Sequence, residues 1–276
     1  MAKKQRTWRI VGAIFLGMFL LGAAGCNTLK ARSDLNKGVQ AYKNAKYDQA
    51  ISFFKDSVAL DPSLVNARLY LATAYAQQYV PGVDTPDNTK NAEAAIDQYQ
   101  QVLKLNPARE QQINSLKGIA YLYLQMKKFD QAKQYYTKAM QLDPNDAELY
   151  YSVAVIDWTQ VYQPRMKLWA EQGLKPTEEL KSAKACEALK SQNESTVDNG
   201  LQMLDKAIKL RPEYPDAMAY ENLLYREKAH IDCNDPATRQ ADLKTADNWV
   251  EKSISTRKEL EAKQRGPQGI TVPSHQ

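Results

Sequence analysis

Apolar positions recur three and four residues apart in one segment of this chain after another, which is the 3.6-residue period of an amphipathic helix. Leu35, Gly38 and Tyr42 form one such stripe. Leu71, Ala72, Ala74 and Tyr75 form a second, and Leu116, Ile119, Ala120 and Tyr123 a third. Four segments then finish alike: Ala59-Leu60-Asp61-Pro62, Lys104-Leu105-Asn106-Pro107, Gln141-Leu142-Asp143-Pro144 and Lys209-Leu210-Arg211-Pro212. Each is an apolar helix end followed by a proline that cannot continue the helix. A stop recurring at repeat-sized intervals predicts a stacked helical array. The product of such an array is a surface rather than a reaction.

Alignment on those prolines brings two sequences into register. Tyr47-Asp48-Gln49-Ala50 precedes Phe54, Ser57 and Leu60; Phe129-Asp130-Gln131-Ala132 precedes Tyr136, Ala139 and Leu142. Gly38, Ala50, Ala120, Ala132 and Ala139 fall where two helices would cross closely, and Tyr47 and Phe129 fall at the turn between them. This pattern resembles the tetratricopeptide repeat, a helix–turn–helix unit of about 34 residues. The resemblance implies an all-α fold, a right-handed superhelix of antiparallel helix pairs. The stops are 45, 37 and 68 residues apart, and the last interval is about two repeats. The expected organisation is therefore a five-unit array over 31–212 (31–64, 65–109, 113–146, 147–178 and 179–212). In the fourth and fifth units, Pro164 and Lys175-Pro176 break the helical pattern, and Leu180, Ala183, Cys186 and Leu189 start another stripe. Val80 to Asn88, with Pro81-Gly82 and Pro86, reads as a loop. A capping helix pair is expected over 213–262, with Leu243, Ala246, Trp249, Val250 and Ile254 inward on its second helix. A polar, disordered tail is expected over 263–276.

The N-terminus changes the reading of the charge. The chain of 276 residues carries 37 Lys and Arg against 32 Asp and Glu. Four of the basic residues, Lys3, Lys4, Arg6 and Arg9, precede an apolar run from Ile10 to Ala24 that is short for a membrane span. Without them 33 basic residues face 32 acidic ones, so composition gives no footprint for nucleic acid. Residues 1–25 read as a signal peptide. Leu20-Leu21-Gly22-Ala23-Ala24-Gly25-Cys26 resembles a bacterial lipobox, although Ala23 stands where Leu is commonest. That resemblance implies cleavage before Cys26, lipid on Cys26, a linker over 26–30, and a protein facing the periplasm. Asn27, rather than Asp, favours the outer membrane over the inner. Of the three cysteines, Cys186 and Cys233 then remain as a pair in an oxidising compartment. They are a candidate disulfide, or else two buried thiols.

The C-terminal half contains Val155-Ile156-Asp157-Trp158-Thr159-Gln160 and Asp216-Ala217-Met218-Ala219-Tyr220. Over about residues 30–260 these segments resemble tetratricopeptide proteins of acidobacteria, which implies the fold and an envelope location but no activity. In such arrays the first helix of each unit lines a groove. Tyr42, Leu69, Tyr121, Leu124, Tyr151, Val155 and Trp158 are the candidate groove residues, or else part of the core. Leu35 or Leu69, and Val39 or Thr73, stand where some such proteins place a Lys/Asn carboxylate clamp, so the groove is apolar and aromatic instead. The expected partners are peptides or helices of other envelope proteins. No cofactor, metal site, small-molecule substrate or catalytic residue is expected. Phosphate loops and hydrolase or zinc motifs are absent, and His230 and His275 are the only histidines. His230 near Cys233 is a weak hint of a Cys–His pair.

Overall fold

A computed structural model describes residues 26–265 apart from Lys181 and Asn234. Ten helices account for nearly all of them: α1 (26–43), α2 (Tyr47–Leu60), α3 (Val65–Gln78), α4 (Pro86–Lys104), α5 (Arg109–Gln125), α6 (Phe129–Leu142), α7 (Ala147–Glu171), α8 (Ala183–Leu210), α9 (Pro215–Ile231) and α10 (Pro236–Arg265). No strand occurs among the described residues. The signal-peptide reading falls on residues 1–25 and lies outside them. The expected linker, 26–30, is helical and continuous with α1. At the other end α10 runs to Arg265, past the limit set for the cap at 262.

The chain divides into two compact units between Tyr135 and Tyr136, inside α6. In the first unit α3 packs against α2 and α4, and α4 in turn against α5, so neighbouring hairpins meet mainly through the second helix of one and the first helix of the next. The small residues explain how the helices approach. A Cβ on Gly38 would lie 2.4 Å from Phe54 Cε1, and Phe54 is fully buried. Ser57 on α2 donates its hydroxyl to the Ala31 carbonyl of α1 at 2.7 Å. The α1–α2 and α5–α6 turns are built alike. Ala45 and Lys127 both take left-handed backbone (φ 56° and 58°), two residues before the aromatic that opens the next helix. After each, a backbone N–H reaches back five residues: Lys46 N to Ala41 O at 2.9 Å and Lys128 N to Tyr123 O at 2.8 Å. This is the hydrogen-bond pattern that closes a helix end with one left-handed residue.

The loop after α3 is fixed by one side chain. Asn88, buried, accepts from Val80 N at 2.7 Å and donates to the carbonyls of Val80 (2.8 Å) and Val83 (2.7 Å). Pro86, read from sequence as a breaker, instead opens α4 at a first-turn position where its missing N–H costs nothing. The Thr85 side chain caps that helix.

In the second unit α7 packs on α8 and α9, α8 on α9, and α9 on α10. Here the repeat count from sequence is corrected. Residues 147–212 form one hairpin of two long helices, 25 and 28 residues, rather than two repeats divided near 178. Pro164 lies inside α7 and does not end it. The apolar stripe explains why. Ala154, Val161 and Trp169 are buried in one core on both sides of the proline, together with Leu189, Val197, Leu204 and Leu224. Burying a side chain of the Val or Trp class is worth about 1.5–3 kcal/mol, and several such burials outweigh the ~3 kcal/mol cost of an internal proline. The break comes at Gly173 instead, at φ 65°, where Leu174 N reaches back to Trp169 O at 2.9 Å. On α10 Ala246 is buried as expected, but Ile254 is 49% exposed rather than inward.

Candidate interaction surfaces

The sequence-derived groove residues fall in both units and differ in what they offer. In the first unit Tyr121 on α5 is 50% exposed, a large aromatic surface facing water. Leu69 and Leu124 are half-buried, and Leu69 packs against the core of α3, α4 and α5. Tyr42 is also half-buried and meets Tyr47 edge-on, ring centroids 5.4 Å apart, so it closes its own hairpin turn. Of these four, Tyr121 is the most exposed.

In the second unit Tyr151, Val155 and Trp158 lie along α7, all half-buried. The structure joins two of them to aromatics that the sequence reading did not select. Tyr151 is 5.1 Å from Tyr214 and 5.5 Å from Tyr220; Trp158 is 5.4 Å from Tyr220 and stacks on Tyr162 at 4.7 Å. The result is a continuous row of five rings from α7 and the start of α9. Arg211 covers Tyr214 at one end, at 4.3 Å, and Arg165 lies 5.4 Å from Tyr162 at the other. Edge-to-face and offset ring pairs of this kind each add about 0.5–1.5 kcal/mol beyond their burial. Burial raises the Tyr151 and Tyr220 hydroxyls and brings Tyr214 to about 12, so these three are uncharged at neutral pH. Tyr162, four residues beyond Trp158 on one helix face, was visible in the sequence spacing. Tyr214 and Tyr220 come from another helix, and no local pattern marks them.

Beyond the row lies a buried ion pair. Arg165 donates through Nε and Nη2 to the two carboxylate oxygens of Glu227 at 2.6 and 2.8 Å. Both residues are 4% exposed. Trp169 follows, its ring 5.3 Å from His230 and its Nε1 donating to Glu178 O at 2.9 Å. Burial, and then the charges of Arg165 and Arg226, bring His230 down to about 4, so it is neutral near pH 7. Cys186 and Cys233 are joined as a disulfide with Cα atoms 5.7 Å apart, tying α8 to the α9–α10 turn. Cys233 therefore carries no thiol for a Cys–His pair. Cys26 is free and exposed. No group that could hold a metal occurs among the described residues, and none of their helices is long and apolar enough to cross a membrane.

Residues 113–146 match the family profile of the tetratricopeptide repeat, the same span that the proline alignment gives its third unit. No curated protein sequence matches the chain. Among solved structures the chain is similar to MamA, with a TM-score of 0.56, 14% identity and coverage of 88% of this chain and 98% of that one. A MamA from Desulfovibrio magneticus RS-1 gives 0.56 and 15%, covering 84% and 98%. YrrB, described as a TPR protein with an unusual peptide-binding site, gives 0.51 and 13%, covering 83% and 91%. At these identities the likeness shows the fold alone. The chain has an all-α tetratricopeptide-type fold with a matched repeat at its centre.

Proposed function

We propose that this protein is a non-enzymatic interaction scaffold of a bacterial cell envelope. It is tethered by lipid on Cys26 and binds an extended or helical segment of a partner protein along the first helices of its repeats. The observation that carries the reading is Tyr121, a half-exposed aromatic on α5 of the first unit; the second unit carries an aromatic face of its own on α7, with Tyr151 and Trp158. Aromatic side chains dominate the energetics of protein interfaces. The peptide-binding site reported for YrrB, on the same fold, supports the choice of ligand. The lipobox-like segment ending at Cys26 supports the tether, and Asn27 supports the outer membrane. The Cys186–Cys233 bond fits an oxidising compartment such as the periplasm. Assembly of a pilus, a secretion system or outer-membrane proteins is work of this kind, with the partner held rather than transformed.

Crosslinking and affinity capture from native membranes test this reading. Tyr121→Ala, at an exposed position, is expected to keep the helical circular dichroism and to lower partner recovery by about tenfold, the loss of one interface hot spot. Capture of no protein, or recovery unchanged in Tyr121→Ala combined with Tyr151→Ala, would overturn it.

A further inference from the structure

Beside the aromatic row, in the second unit, lies a cavity of 320 Å³ walled by Trp158, Tyr162, Leu223 and Leu243, with Arg165 and Arg239 also in its lining. Its volume is in the range of small-ligand sites. Both arginines are left with incomplete hydrogen bonding. Arg165 commits Nε and Nη2 to Glu227, while its Nη1 is buried without a partner. Arg239 pairs with Glu179, while its Nε is likewise buried without a partner. Buried donors normally find an acceptor, and orphaned ones call for an explanation. Stability does not supply one, because a buried ion pair such as Arg165–Glu227 is often no better for folding than an apolar pair of the same size.

The charges point one way. Arg165, Arg226 and Arg239 line the cavity against a single lining carboxylate, Glu227. Neutral His230 adds no further charge. Arg226 also reaches Asp247, outside the lining. The other walls are aromatic or aliphatic.

We propose that this cavity binds a carboxylate carried on a small apolar or aromatic body. The acid group meets the guanidinium groups of Arg165 and Arg239, and the body lies against Trp158, Tyr162 and Leu243. Arg239 is the arm that yields on binding. Arg239 is mostly buried, but its partner Glu179 has a largely exposed side chain on the α7–α8 connection, so that carboxylate can return to water when the guanidinium takes another acid. Two sources share this chemistry: a free organic acid, and the terminal carboxylate of a peptide ending in an apolar residue.

Calorimetric titration of the full chain in detergent separates the two sources. The probes are 3-phenylpropionate and its amide, and the peptide Gly-Gly-Gly-Phe with a free or an amidated C-terminus. At least one acid is expected to saturate a single site and to bind about tenfold or more tightly than its amide, the effect of losing a charged hydrogen bond. Binding of phenylpropionate identifies a free acid as sufficient; binding of the peptide acid alone identifies a chain terminus. Arg239→Gln and Leu243→Phe, the second filling the cavity without touching charge, should each weaken binding about tenfold with the melting temperature unchanged. Tyr121→Ala, which does not line the cavity, should leave it intact, so failure of the groove reading and failure of this one are separate results. No binding of either acid at millimolar concentration, equal binding of acid and amide, or full affinity in both Arg239→Gln and Leu243→Phe would each refute the proposal.

Discussion

Glu221 shows how much a single buried group can govern. It lies on α9 at 4% exposure, and burial, followed by the nearby charge of Asp205 on α8, brings its carboxyl up to about 8 against the opposing pull of Lys252 on α10. The folded protein therefore holds a proton that the unfolded chain releases near pH 4.5. For an acid raised in this direction, stability is complete below the unfolded value and is lost as pH rises to about 8. Asp232, brought to about 6 by burial and by Asp242, acts with the same sign over a lower window. Urea unfolding at pH 5 and pH 9 should show wild type losing stability at the higher pH and Glu221→Gln losing clearly less; equal losses in the two would discount the raised carboxyl. At this scale the sequence was uneven as a guide. Gly38 and the repeated alanines were legible because a spacing rule places small residues at helix crossings. Glu221 was not, since a glutamate on a helix normally faces water and its burial comes from the helices packed around α9, which the α9 sequence does not reveal.

At the scale of helices, the interior proline of α7 is the informative exception. Pro164 is exposed and removes one N–H from a helix that the core holds straight through it. Pro164→Ala should therefore stabilise the protein by about 1–3 kcal/mol, read as a higher urea midpoint with an unchanged slope. A lower midpoint would mean that the local geometry set by the proline is needed, for instance to aim Arg165 at Glu227. The helix stops at Pro62, Pro144 and Pro212 were read correctly because each lies two residues past the last helical one, with no buried stripe continuing beyond it. Pro164 and Pro86 were misread by the same local rule. In one case tertiary burial on both sides overrides it, and in the other the proline occupies a helix start. The candidate groove residues were chosen by the register of the first helices in the repeat, and that register says nothing of how each side chain packs. How far its tyrosines close against one another depends on α9, which the α7 sequence does not reveal.

Considered as a whole molecule, the chain combines two compact units with a proposed anchor. Cys26 is exposed at the start of the described residues, and Leu29 beside it is 70% exposed. Cys26→Ser should move the protein from the membrane fraction to the soluble fraction; unchanged partitioning would remove lipid at Cys26 as the tether. An anchored scaffold that grips a partner is a tension-bearing element, and the disulfide then has a mechanical meaning. The bond joins residues 47 apart and encloses α9 and most of α8 in a covalent ring. Fully drawn out, that ring would measure about 160 Å, and none of this length can be released by a pull applied at points outside it. Force on the tether can peel helices away up to Cys186, but the load then crosses from sulfur to sulfur, and the ring acts as a stop on extension until it is reduced.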